Sequence, residues 1–153
     1  MTDVPEPILA PAELVARVEQ GWAAFRALVD RVARNGGLER NTETGWPAKA
    51  VAAHVAAWHE QATGRLGEWR ATGRIPPVPD VDAFNAQVAE RTAGDAPESV
   101  LARLDASYPP LLSALRALSE ADLQAHRHLL GYIVAANTFG HYEEHLAELD
   151  ALT

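Results

Sequence analysis

Apolar residues recur every three or four positions over much of the chain, the period of an α-helix with one buried face. From Pro11 to Arg34, Leu14, Val18, Trp22, Phe25, Val29 and Val32 keep this spacing, and Asn35-Gly36-Gly37 supplies residues that stop a helix. A second helix is predicted from Trp46 to about Arg70, with Pro47 near its start, where a missing N–H costs nothing. Ile75-Pro76-Pro77-Val78-Pro79-Asp80 is too rich in proline to continue it. That stretch is expected to be extended, and to be the longest irregular connection. A short helix over 81–91 should follow.

Asp95-Ala96-Pro97-Glu98 has the spacing of a capping box, and Val100, Leu101, Leu104, Leu111, Leu112, Leu115 and Leu118 predict a long helix over 97–118. Pro109-Pro110 removes two backbone donors inside it and is expected to kink or split it near Tyr108. Ser119-Glu120-Ala121-Asp122 reads as its end, and 131–149 as the last helix. No segment alternates with period two and no repeat is present. The expected fold is therefore all-α: a four-helix bundle with a proline-rich linker and a short extra helix between its second and third helices.

Length and composition fit this picture and narrow the chemistry. The 153 residues suit one domain over 1–153, with residues 1–10 expected to be flexible. With 21 acidic residues against 13 basic ones the net charge is −8, which gives no drive toward phosphate backbones or anionic lipid. Nucleic-acid and membrane partners are not expected. No basic start followed by an apolar run opens the chain, so a cytoplasmic location is expected. The absence of cysteine leaves histidine and carboxylate as the only metal-binding groups. If a thiol takes part in the chemistry, it must come from outside.

The histidines are the candidates for that role. On a helical wheel His54 borders the face carrying Val51, Trp58 and Ala62, whereas His59 lies about 140° away and should not share its site. An isolated buried histidine is more often a hydrogen-bonded core residue than a ligand. His141 and His145, four residues apart, present two imidazoles on one helix face. Their stripe also carries Asn137, Glu144 and Glu148, so an ordinary solvated polar face fits the spacing equally well. Three imidazoles from two helices would make an open three-ligand site. His126 and His128, flanking Arg127, read as exposed loop residues.

The segment Trp46-Pro47-Ala48-Lys49-Ala50-Val51-Ala52-Ala53-His54-Val55-Ala56-Ala57-Trp58 resembles the first histidine helix of the DinB-like (YfiT-type) superfamily. Ala135-Ala136-Asn137-Thr138-Phe139-Gly140-His141-Tyr142-Glu143-Glu144-His145 looks like its closing H-x-x-x-H helix. With Asp82-Ala83-Phe84-Asn85, that wording is most similar to the ClbS/DfsB branch, near the N-terminal domains of mycothiol-dependent maleylpyruvate isomerases. The resemblance implies a four-helix bundle that binds a divalent metal through His54, His141 and His145, often as a homodimer. Many relatives carry an acid four residues before the first histidine, where this chain has Ala50.

The leading expectation is a metal-dependent enzyme, either a hydrolase that detoxifies a small electrophile or a transferase using a low-molecular-weight thiol as cosubstrate. Zinc or nickel suits an all-imidazole ligand set. Glu144 is the candidate catalytic proton acceptor, and Trp58, Asn85 and Asn137 are candidate substrate-binding residues. Trp69 and Phe84 could line the same pocket or simply pack. The alternative from another class is a non-catalytic protein that sequesters a small molecule for self-resistance. A structural dimer with histidines as polar filler is a third possibility.

Overall fold

Six helices follow one another: α1 (Pro11–Arg34), α2 (Ala48–Thr72), α3 (Val81–Thr92), α4 (Pro97–Arg116), α5 (Glu120–Asn137) and α6 (Phe139–Asp150). They are seen in a computed structural model that describes residues 10–153. The flexibility expected of the first ten residues lies outside the described residues, Ala10 apart. No strand occurs among the described residues, where a single bridge joins Asn41 to Pro47. Helices α1, α2, α4 and the α5–α6 pair are the rods of the expected bundle, and α3 is the short extra helix.

Helix α2 is the central one. Ala48, Ala52, Ala53, Ala56, Ala57 and Ala62 are all buried, and so are Lys49, His54, His59 and Arg65. Small side chains around its circumference let neighbours approach on every side, with α4 making the broadest contact. A single buried stripe, as the wheel assumed, therefore does not describe this helix. Two apolar clusters form the core, one around Phe25, Val55, Leu104 and Tyr142, the other around Leu14, Leu66, Leu111 and Leu130. Trp22 touches both and stacks on Tyr108, ring centroids 4.4 Å apart. Helices α1 and α6 meet at Gly21, where an added Cβ would lie 2.9 Å from Cβ of Phe139. Glycine is what permits that closeness.

Four details depart from expectation. The Pro109-Pro110 pair does not split α4. The carbonyls that lose their donors, those of Asp105 and Ala106, belong to exposed residues where water can replace the missing bonds. Asp95 does not cap α4: Ala96 is the N-cap residue without a side-chain bond, and the Asp95 carbonyl instead accepts from Lys49 Nζ at 3.1 Å. The box lies at Ser119 and Asp122, which bond each other's backbone N–H and start α5 rather than ending α4. The longest irregular connection is 35–47, longer than the proline linker, because Gly36 and Gly45 adopt positive φ in successive turns there.

The last expected helix resumes after a break close to where 131 places it, is preceded by a short helical stretch after Ser119, and is divided. Helix α5 is interrupted at 125–128, where His126, Arg127 and His128 take left-handed φ values of 52°, 56° and 64°. Thr138, with φ −127° and ψ −112°, separates α5 from α6. Its hydroxyl donates back to the Val134 carbonyl at 2.6 Å. At Gly140 a Cβ would meet the Ala135 carbonyl oxygen at 2.9 Å, so the turn that leads into His141 needs a residue without one.

Candidate metal centre

His54 in α2 and His141 and His145 in α6 converge, each offering one nitrogen, and these nitrogens all lie within 4.8 Å of one another. Nε2 of His54 is 2.7 Å from Nε2 of His141, which is 3.1 Å from Nε2 of His145. Ligand nitrogens on a tetrahedral zinc with bonds of about 2.0–2.1 Å are separated by roughly 3.3 Å, so small side-chain shifts would bring this set to bonding geometry. Three imidazoles turned toward one point, two of them in buried residues, form a donor set suited to zinc, nickel or a similar divalent ion.

The far sides of the rings differ. Nδ1 of His145 donates to Glu148 Oε1 at 2.6 Å, which leaves Nε2 with a lone pair directed at the cluster. Glu148 is itself buried and accepts from the Thr44 hydroxyl at 3.2 Å. Nδ1 of His54 and Nδ1 of His141 are buried and have no partner among the described residues. For His54 the cause is visible in the sequence: one turn earlier stands Ala50, which has no acceptor to offer.

Burial also decides protonation. Desolvation, then the neighbouring His145, pushes the His54 imidazole down to about 4. His141 falls to about 2, through desolvation first and the adjacent His54 and His145 next. Both rings are therefore unprotonated well below the ordinary imidazole range, the state in which they can bind a cation.

A cavity of about 450 Å³ opens beside His54 and His141 and collects the other residues anticipated from sequence. Trp58, Asn85, Asn137 and Glu144 all line it. Trp58 Nε1 donates to Asn85 Oδ1 at 2.8 Å, and Phe84 packs on Trp58 with ring centroids 4.6 Å apart, so α3 forms one wall of the site. Asn137 donates to the Ile133 carbonyl at 2.7 Å, which leaves its amide oxygen free to face the cavity. Glu144 is exposed and also lines a second opening, shared with His54, His145, Glu148, Thr44 and Trp46.

Trp69 is not part of this cavity; it packs on the second core cluster. His59 is apart from it, as the wheel placed it, but is fully buried. There it bonds Ser107 through Nδ1 at 2.8 Å and Tyr142 through Nε2 at 2.6 Å. Because the Ser107 hydroxyl donates to the Leu104 carbonyl, His59 Nδ1–H donates to Ser107 and Tyr142 donates to Nε2. Both ring nitrogens of His59 are thus satisfied, and desolvation lowers His59 to about 4. His126 is exposed and His128 half-buried in the left-handed segment, away from the cluster.

Residues that the sequence did not single out complete the site. Glu148 holds His145 from three positions away, a spacing that could have been read as a pair rather than as part of a polar stripe. Arg65 lines the cavity one side of Trp58, and Thr44 reaches Glu148 from the α1–α2 connection. Neither carries a local signal.

A family model described as the DinB superfamily matches residues 17–148. No curated protein and no solved structure matches the chain.

Proposed function

The chain belongs to the DinB superfamily, and from that footing we propose that it is a metal-dependent enzyme that acts on a small electrophilic molecule. His54, His141 and His145 would hold the divalent ion, with zinc or nickel favoured by the all-nitrogen donor set. The observation that carries this reading is the convergence of three imidazole nitrogens from α2 and α6 on one point at the wall of a cavity. Structural histidines are expected to end on hydrogen-bond partners, as His59 does. His54 and His141 instead meet each other.

Bound there, such an ion supplies Lewis acidity, polarising a substrate oxygen or lowering the pKa of a water or thiol nucleophile. The protein's own groups have separate tasks. Glu148 fixes the tautomer and orientation of His145 through its 2.6 Å bond. Glu144, exposed at the edge of both openings, can take the proton that a nucleophile loses and return it to a leaving group. The Asn137 side chain, anchored on Ile133, presents its amide oxygen to the substrate, and Trp58, held by Asn85, forms the flat wall beside it.

Within the superfamily we favour the ClbS/DfsB-like role, detoxification of a reactive small molecule, over thiol transfer. The experiment incubates zinc- or nickel-loaded protein with a model epoxide, with and without added thiol. Thiol-independent, catalytic loss of the epoxide is the expected result. Loss only with thiol would make the protein a transferase, and loss that stops at one equivalent would make it a binding protein.

A further inference from the structure

Among the described residues, the four large hydrophobic side chains that stand exposed are Val78, Val81, Leu129 and Tyr132. All four line the cavity beside the histidine cluster. Isolated exposed apolar residues are ordinary, but a whole set gathered around one concave opening marks a surface that an apolar body covers.

The same cavity holds one permanent cation. Arg65 lies eleven residues after His54 on α2, within about 20° on the wheel and about 16 Å further along the axis. Helical side chains lean toward the N-terminus, so its guanidinium is carried back along the cavity toward Trp58. Arg65 is only 9% exposed. Its Nε donates to the Pro76 carbonyl at 3.1 Å, which pins the linker carrying Val78 and Val81. That bond uses one of five donors. No carboxylate of the described residues lies within ion-pair distance of it, whereas Arg26, Arg103 and Arg116 are each paired with one. Burial lowers its pKa with nothing opposing the effect. A desolvated guanidinium without a counter-charge is costly, and the planar fork it presents matches two coplanar oxygens. Glu144, the only carboxylate among the described residues that line the cavity, is near the histidines. The cavity is thus polar at both ends and apolar between them.

We propose that this cavity binds an amphiphilic organic carboxylate, its carboxylate on Arg65, its apolar body against Trp58, Val78, Val81, Leu129 and Tyr132, and its opposite end at the histidine cluster. Only the last part rests on the enzymatic reading above. The substrate class that follows is a small acid with an apolar chain or ring and a reactive group remote from the carboxylate.

Calorimetric titration of the metal-free protein at pH 7.5 with octanoate and with octan-1-ol tests the assignment. Octanoate should bind at least tenfold more tightly than the alcohol, and the Arg65 Nε–H resonance should shift with octanoate and not with octanol. Arg65→Gln should bring octanoate down to the level of the alcohol, while Arg116→Gln, at an exposed arginine paired with Glu19, should leave the preference in place. Equal affinities for the two probes in the wild-type protein would overturn the proposal, and this comparison needs no variant to fold. A carboxylate preference that survives in folded Arg65→Gln would overturn it as well. Zinc titrated separately keeps the two readings apart: zinc binding without a carboxylate preference removes this proposal alone, and a carboxylate preference without zinc binding removes the metal alone.

Discussion

Glu148 Oε1 lies 2.6 Å from Nδ1 of His145 and accepts a hydrogen bond from it, so the ring is oriented from the side opposite the cluster. Acceptors in this position raise ligand basicity and fix the ring, and their loss costs about 10–100-fold in metal affinity. Glu148→Ala should weaken zinc binding by that factor. Competition against a chromogenic chelator measures it, and an unchanged affinity would show that His145 does not ligate.

His54 has no such acceptor, because Ala50 stands one turn before it and its Nδ1 is buried without a partner. Ala50→Asp places a carboxylate on the same face four residues away. The expected outcome is zinc affinity raised about tenfold by the same titration. No gain, in a variant with the wild-type circular dichroism spectrum, would mean that another acceptor already serves His54.

Removing a ligand should be far more severe than removing a bystander. His54→Ala and His141→Ala are expected to lower zinc stoichiometry from one to near zero. His126→Ala and His128→Ala, in the left-handed segment away from the cluster, should leave it at one. Elemental analysis of protein without a histidine tag reads both. Equal occupancy in all four variants is the contrary result.

Acid should destabilise the metal-free protein earlier than its carboxylates alone would predict. Burial lowers His54 and His59 to about 4 and His141 to about 2, against about 6.5 in the unfolded chain. Between these values the unfolded chain holds more protons, so stability is full above pH 6.5 and is lost progressively as pH falls through about 4. His59, sealed from solvent, contributes to that loss in the same direction. Urea midpoints measured in chelator should fall steadily from pH 7 to 4.5. A flat profile would contradict the burial of these rings.

The sequence exposes some of this architecture and hides the rest for identifiable reasons. Helix α1 begins and ends where its apolar period and Asn35-Gly36 place it, since one face of a peripheral helix is read directly from spacing. Helix α2 hides its surroundings because alanine is compatible with either face of a wheel, and six buried alanines blur the boundary that leucines would have drawn. The convergence of His54 with His141 and His145 follows from ordered motifs. Arg65 was not recoverable in this way: a lone arginine on a helix normally reaches solvent, and only the fold shows the linker carbonyl and apolar rim around it. Ser119 and Asp122 carry a readable signal that admits two uses, ending one helix or starting the next. The breaks at Thr138 and at 125–128 have no proline and no glycine at their centres, so tertiary packing decides them.

His54 and His141 stand 87 positions apart in the chain yet their Nε2 atoms are 2.7 Å apart. During synthesis, therefore, the cluster cannot exist until the chain has been made through His145, because both α6 ligands follow the other five described helices. A cation held there would act as a late staple, closing a long loop whose entropy has already been spent on the α2–α4 and α1–α6 packing. Truncated chains that end before Phe139 would emerge with α2 lacking its histidine partners, so metal retention would distinguish chains that include α6 from those that lack it.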